Sequence, residues 1–227
     1  MSQPNDPYAS LPSRLSENVK TLSQIAAEAI EGLIANGHLR SGERINESHL
    51  AQQLGISRGP IREACRSLEQ AGLLESFTNR GMYVRALSAE EARHLYVLRS
   101  ALAGLSGRLI VEAAPDEELA ALAEMVARMD RAVSEDDPET YFQLNLGFHE
   151  RLVEASRNPA LVETYMRIVK QLLLTRRRGL VEAHNIGASN AEHHQIIDAL
   201  LARDADAAEA AMRKHVDGGF NRLLGAT

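Results

Sequence analysis

The chain has one cysteine, no tryptophan and only 4% aromatic residues across its 227 positions. A single thiol, Cys65, excludes an internal disulfide framework and suits a reducing compartment. No apolar run approaches the ~18–20 residues that a membrane span needs. Residues 1–17 are polar, carry Pro4, Pro7 and Pro12, and lack the apolar core of a signal peptide, so they read as a mobile tail. A cytoplasmic protein is the expectation. Positive charge is also scarce, with 25 Lys and Arg against 31 Asp and Glu and a net charge of −6. That balance argues against a nucleic-acid partner until the chain is divided at Leu87. Residues 1–87 hold nine basic and nine acidic side chains, whereas residues 88–227 hold 16 and 22 and carry the whole deficit. Two domains with different partners follow from this asymmetry.

What is present is 44% hydrophobic and 25% charged, rich in Ala and Leu, and leans toward helices. From Asn18 to Asn36 the apolar residues Val19, Leu22, Ile25, Ala26, Ala29, Ile30, Leu33 and Ile34 share one helical stripe, stopped by Gly37. A short extended piece and a Ser41-Gly42 turn follow. Asn46-Glu-Ser-His-Leu-Ala-Gln-Gln-Leu54 predicts a two-turn helix with Asn46 as N-cap. Gly55-Ile56 turns the chain and Ser57 opens a third helix, where its hydroxyl is expected to accept from the Gly59 N–H. Pro60 fits the first turn, where no intrahelical bond is lost. Ile61, Ala64, Cys65 and Leu68 form the inward face. Arg58, Arg62 and Arg66, spaced i, i+4, i+8, line the outward one.

A short helix, a glycine turn and a second helix with a basic outer stripe suit the DNA major groove, where guanidinium groups pair with guanine edges or phosphates. The alternative is a solvated arginine face. After Gly72, two apolar runs around Thr78-Asn79-Arg80-Gly81 predict a β-hairpin, a wing with Arg80 and Gly81 at its tip.

Arg44-Ile-Asn-Glu-Ser-His-Leu-Ala-Gln-Gln-Leu-Gly-Ile-Ser-Arg-Gly-Pro-Ile-Arg-Glu-Ala, then Leu68-Glu-Gln-Ala-Gly-Leu-Leu74 and Asn79-Arg-Gly81, resembles the GntR family of winged-helix regulators over residues 20–86. The resemblance implies that Ser57, Arg58, Arg62, Arg80 and Gly81 contact DNA. One family position that often carries arginine is Ser48 here.

Beyond Leu87 the pattern is helical throughout. Ser88-Ala-Glu-Glu91 is a capping box launching a helix through Ala114. Further helices are predicted from Pro115-Asp116 to about Ser134 and from Asp137-Pro138 to about Ser156. Another should run from Asn158-Pro159 to about Leu180. Ser189-Asn-Ala-Glu192 reads as a second capping box, starting a helix to Arg203, and Asp204 begins the last, with an irregularity at Gly218-Gly219. Residues 88–227 thus form an antiparallel all-α bundle behind a winged helix-turn-helix spanning residues 18–87, a mainly α protein with one small hairpin. Arg176-Arg177-Arg178 is the densest basic run, placed to meet a helix C-terminal dipole or to hold a phosphate.

Asn145 and His149 share a helix face, while His193 and His215 lie on two other helices. Singly, each histidine reads as a surface or core side chain. Three imidazoles with an oxygen donor would make a divalent-metal site with open positions. Asn145-Leu-Gly-Phe-His149, Glu192-His193 with Ile196 and Ala199, and His215 resemble the FCD effector domain of the FadR subgroup. That resemblance implies a metal of the Zn, Ni or Mn class on Asn145, His149, His193 and His215, with Asn145 where the family usually has Asp. It also makes Arg99 an anion clamp for a small carboxylate or phosphonate effector. The other reading of Arg99 is a salt bridge to Glu90 or Glu91. Ala103 stands where many members are acidic. Asn145–His149, the triple arginine and Ser189–His193 are further similar to regulators associated with phosphonate utilisation.

The sequence therefore predicts a homodimeric regulator, a repressor, that binds a palindromic double-stranded operator and answers to a small anion. It predicts neither an enzyme nor a membrane partner. Two rivals remain open: a constitutive DNA-binding dimer without metal or effector, and a metal-dependent hydrolase, for which no HExxH run or Ser-His pair is legible.

Overall fold

The computed structural model describes residues 20–175 and 183–225. The first helix, α1 (Leu22–Ala35), begins where Thr21 accepts from the Gln24 N–H and the Gln24 side chain accepts from the Thr21 N–H. This reciprocal cap sets the start four residues later than the periodicity predicts. Helix α2 (Glu47–Leu54) is capped by Asn46, whose Oδ1 accepts from the His49 N–H at 3.0 Å. Helix α3 (Arg58–Gln70) buries Ile61, Ala64, Cys65 and Leu68 against α1 and α2.

Ser57 occupies the N-cap of α3 in extended backbone, yet its hydroxyl makes no capping bond, contrary to expectation. Pro60 removes the N–H of the third helical position, one of the two that such a side chain normally engages. Strands β1 (Leu74–Phe77) and β2 (Gly81–Val84) pair antiparallel, Leu74 opposite Val84 and Phe77 opposite Gly81. Residues 42–45 add a partial third strand, with Ile45 N–H donating to Met82 and Val84 N–H to Glu43.

The remaining long elements are helices: α4 (Ala89–Ala113), α5 (Asp116–Ser134), α6 (Pro138–Glu154), α7 (Pro159–Leu172), α8 (Ala183–Leu201) and α9 (Ala205–Gly225). Ser88 and Glu91 form the predicted capping box. Asp137 and Asn158 cap α6 and α7 with proline in the first turn. Helix α4 packs along α9, α5 against α6 and α8, and α7 against α4. The core between them holds Ile110, Leu119, Met129, Phe148, Leu152, Tyr165, Ile196 and Leu200.

Three predictions about these helices need correction. Helix α8 begins at Ala183, so Ser189–Glu192 lies inside it and is no cap. The Glu192 carboxylate is instead taken by His215 and Arg222 of α9. Helix α7 stops at Leu172 and passes into a 3₁₀ turn, Leu173–Thr175, where the Thr175 hydroxyl donates to the Leu172 carbonyl. Arg176–Arg178 lie outside the described residues. Helix α9 runs unbroken through Gly218 and Gly219.

The end of α7 docks on the winged domain. Lys170 Nζ pairs with Glu31 at 2.7 Å and Gln171 Nε2 donates to the Ala71 carbonyl at 3.0 Å. The Ser41 hydroxyl donates to the Leu174 carbonyl, and Leu174 joins the core of Ala26, Ile30 and Leu68. Leu87 packs against the cores on both sides of it, and Arg85 reaches Glu91 at 2.6 Å.

Candidate DNA-reading face and metal centre

On α3, Ser57, Arg58, Arg62 and Arg66 are all exposed, opposite the buried Ile61, Ala64 and Cys65. Burial, with Glu47 adding to it, pushes the Cys65 thiol up to about 11, so that side chain is core and not chemistry. Glu47, in the first turn of α2, accepts from Arg62 Nε at 3.0 Å and lies 3.8 Å from Arg58. One carboxylate thus holds two guanidinium groups on the outer face while leaving that face net positive. At the wing, Arg80 lies over the Phe77 ring and Phe77 meets Tyr83 edge-on. Gly81 has φ 96°, which a side chain would strain, and the Arg44 guanidinium lies against it, 3.4 Å from where a Cβ would stand. Arg44 and Glu47 are missed by sequence reasoning: Arg44 shows no periodic signal, and Glu47 reads as an ordinary first-turn acid.

The second cluster is built across the bundle. Asn145 and His149 project from α6, His193 from α8 and His215 from α9, and the three imidazoles offer nitrogens within 4.8 Å of one another. His215 Nε2 stands 3.2 Å from His149 Nε2, and its Nδ1 lies 2.8 Å from Glu192 Oε2. His193 is fully buried, and neither of its ring nitrogens has a hydrogen-bond partner among the described residues. Asn145 Oδ1 is buried and has no partner among them either. Burial, reinforced by His215, holds His193 well below the usual histidine range, so it is neutral and offers a lone pair. Burial also lowers His215, against the opposing pull of Glu192. Buried polar atoms without partners are costly, and three imidazoles whose nitrogens converge are what a cation satisfies. The residues present fit a divalent ion.

Arg99, on α4, donates from Nε to the Tyr165 hydroxyl at 3.1 Å and lies over the rings of Tyr165 and Tyr96. It has no ion-pair partner among the described residues, so the alternative bridge to Glu90 or Glu91 does not form; Glu91 is held by Ser88 and Arg85, and Glu90 lies 4.0 Å from His94. Its charge is felt at His215. Ala103 is buried, so no acid neutralises Arg99 from there. Glu192 and Arg222 complete the cluster; sequence reasoning quotes Glu192 only as part of the family pattern, gives it no role beyond a helix cap, and misses Arg222. No spacing rule joins Glu192 to a histidine 23 residues on, and the cap pattern around it points elsewhere.

Comparison with known proteins gives the family. Residues 22–84 match the family of bacterial regulatory proteins, gntR family, and residues 94–218 match the FCD domain. An uncharacterized HTH-type transcriptional regulator, YdhC of Bacillus subtilis, is 32% identical over 85% of this chain and 84% of its own. The Nta operon transcriptional regulator of Aminobacter aminovorans is 33% identical over 82% of this chain and 87% of its own. Among solved structures, E. coli McbR/YncC superposes with a TM-score of 0.81 at 20% identity, covering 92% of this chain and 99% of that one, a likeness of fold. These relatives are regulators and not enzymes, and no described helix is long and apolar enough to cross a membrane. The chain belongs to the GntR family of bacterial transcription regulators and carries an FCD domain behind its winged helix-turn-helix.

Proposed function

We propose that this regulator is a cytoplasmic, homodimeric repressor whose affinity for a palindromic operator is set by a small anion bound at the Asn145–His149–His193–His215 centre. Ser57, Arg58, Arg62 and Arg66 would enter the major groove, while Arg80, Gly81 and Arg44 meet the backbone or minor groove at the wing. A divalent cation on three neutral imidazoles and a neutral amide keeps its full charge, and so attracts an anion. Arg99 supplies a fork for a carboxylate or phosphonate on the same side. The observation that carries this reading is the set of buried donors at His193 and Asn145 that have no partner among the described residues, together with an Arg99 guanidinium bonded to Tyr165 and paired with no acid among them.

The route to DNA runs through α7. Tyr165, bonded to Arg99, sits on the helix whose end grips the winged domain through Lys170, Gln171 and Leu174. An anion that draws Arg99 away from Tyr165 shifts that grip and with it the spacing of two recognition helices. The test is operator binding by the zinc-loaded protein, on a duplex selected from a random pool, across a panel of small carboxylates and phosphonates. An acid that binds should weaken operator affinity by about 5–150-fold and lose that effect in Arg99→Ala. Unchanged operator affinity across every acid that binds contradicts the reading.

A further inference from the structure

We propose that Glu192 is a positioning residue for this centre. Gripped by Arg222 across a gap that only a glycine at position 218 leaves open, it fixes which nitrogen of His215 faces the metal. The inference rests on the reading of the centre given above and deepens it.

The geometry is specific. Arg222 donates from both terminal nitrogens to the two oxygens of Glu192, each at 2.8 Å, a bidentate fork that fixes the carboxylate plane. Oε2 of that carboxylate also accepts from His215 Nδ1 at 2.8 Å. An ionised carboxylate can only accept, so the ring proton of His215 resides on Nδ1 and the Nε2 lone pair points at the cluster. Metal-bound histidines are commonly oriented in this way by an outer carboxylate. The fork also keeps Glu192 out of the inner ring of donors, since both oxygens are engaged and its side chain is mostly buried.

Gly218 supplies an independent observation. It lies on the face of α9 between His215 and Arg222, and a Cβ there would stand 2.7 Å from Glu192 Oε1 and 3.1 Å from Arg222 Nη1. Both are ends of flexible side chains, so a methyl group would displace the carboxylate and leave the helix intact. A glycine in mid-helix otherwise weakens a helix relative to alanine. Its presence there is accounted for by the room it gives Glu192. A mere strap between α8 and α9 would tolerate a shifted carboxylate; a bond that aims an imidazole would not.

The test uses the full chain, freed of metal and titrated with Zn²⁺ against a chromogenic chelator, together with long-range proton–nitrogen spectra of the apo histidines. Glu192→Gln and Gly218→Ala should each weaken zinc binding by about 10–100-fold. Apo Gly218→Ala should still melt in one cooperative transition, since only side-chain ends have to shift. The His215 spectrum should report a proton on Nδ1 in the parent and a mixture of tautomers in both variants. Parent-like zinc affinity in both variants, with binding lost in His193→Ala, overturns the positioning role and leaves the centre standing. Parent-like affinity in His193→Ala as well overturns the centre itself. A His215 proton on Nε2 in the parent overturns the inference directly.

Discussion

Asn145 is where this centre departs most from the donor set the family resemblance implies. Its carbonyl oxygen is buried and has no partner among the described residues, and it shares the α6 face with His149. An amide offers a dipole where a carboxylate offers a charge, so a cation held by Asn145 and the three imidazoles would meet no negative ligand. The nearest carboxylate, Glu192, is held at about 2 because its bonds from Arg222 and His215 overcome the opposing effect of burial, and it stays ionised in the outer ring. Asn145→Asp should therefore tighten zinc binding by about tenfold or more, ~1.4 kcal/mol. It should also weaken capture of an anionic effector, because the cation's charge is partly spent on the new ligand. Isothermal titration with Zn²⁺ reads the first effect. An unchanged affinity would mean that position 145 does not face the ion.

Helix α3 and its partners carry the DNA claim. The outward arginines and inward apolar stripe were legible from spacing alone, because a helix has one period and one buried face. Asn46, Ser88, Asp137 and Asn158 were legible for a similar reason: a cap is settled by three or four neighbouring residues. Ser189–Glu192 shows where local reading fails. The same four residues satisfy a cap pattern, yet α8 continues through them because His215 and Arg222, distant in sequence, take the Glu192 carboxylate. The end of α7 escaped for a like reason, since Leu174 is drawn into a core belonging to the other domain. His149, His193 and His215 were recognisable as a set only through the family pattern, because spacing within one helix says nothing about three. For α3 the expected outcome is that Arg62→Ala weakens specific operator binding by roughly 1–3 kcal/mol in an anisotropy titration. Glu47 would then turn to Arg58 alone, so part of the loss reflects a less ordered neighbour. Parent-like affinity would remove α3 from the major groove.

At the scale of the whole molecule, charge and contact divide the labour. The winged domain is electrically balanced overall but lines the outer face of α3 with Arg58, Arg62 and Arg66, while the helical domain carries the acidic excess. A net charge of −6 is thus compatible with a DNA partner. The two parts are joined by more than the linker at Leu87. Lys170, Gln171 and Leu174 tie the helix that bears Tyr165 to α1, to the end of α3 and to their core. A site at Arg99 and the histidines is therefore one helix away from the DNA-reading unit. Everything proposed for regulation depends on whether that site holds a cation. The most direct test is elemental analysis of the protein purified without chelator, with His193→Ala prepared in parallel. The account predicts close to one divalent ion per chain in the parent and none in the variant; a parent free of metal, or equal metal in both, would contradict it.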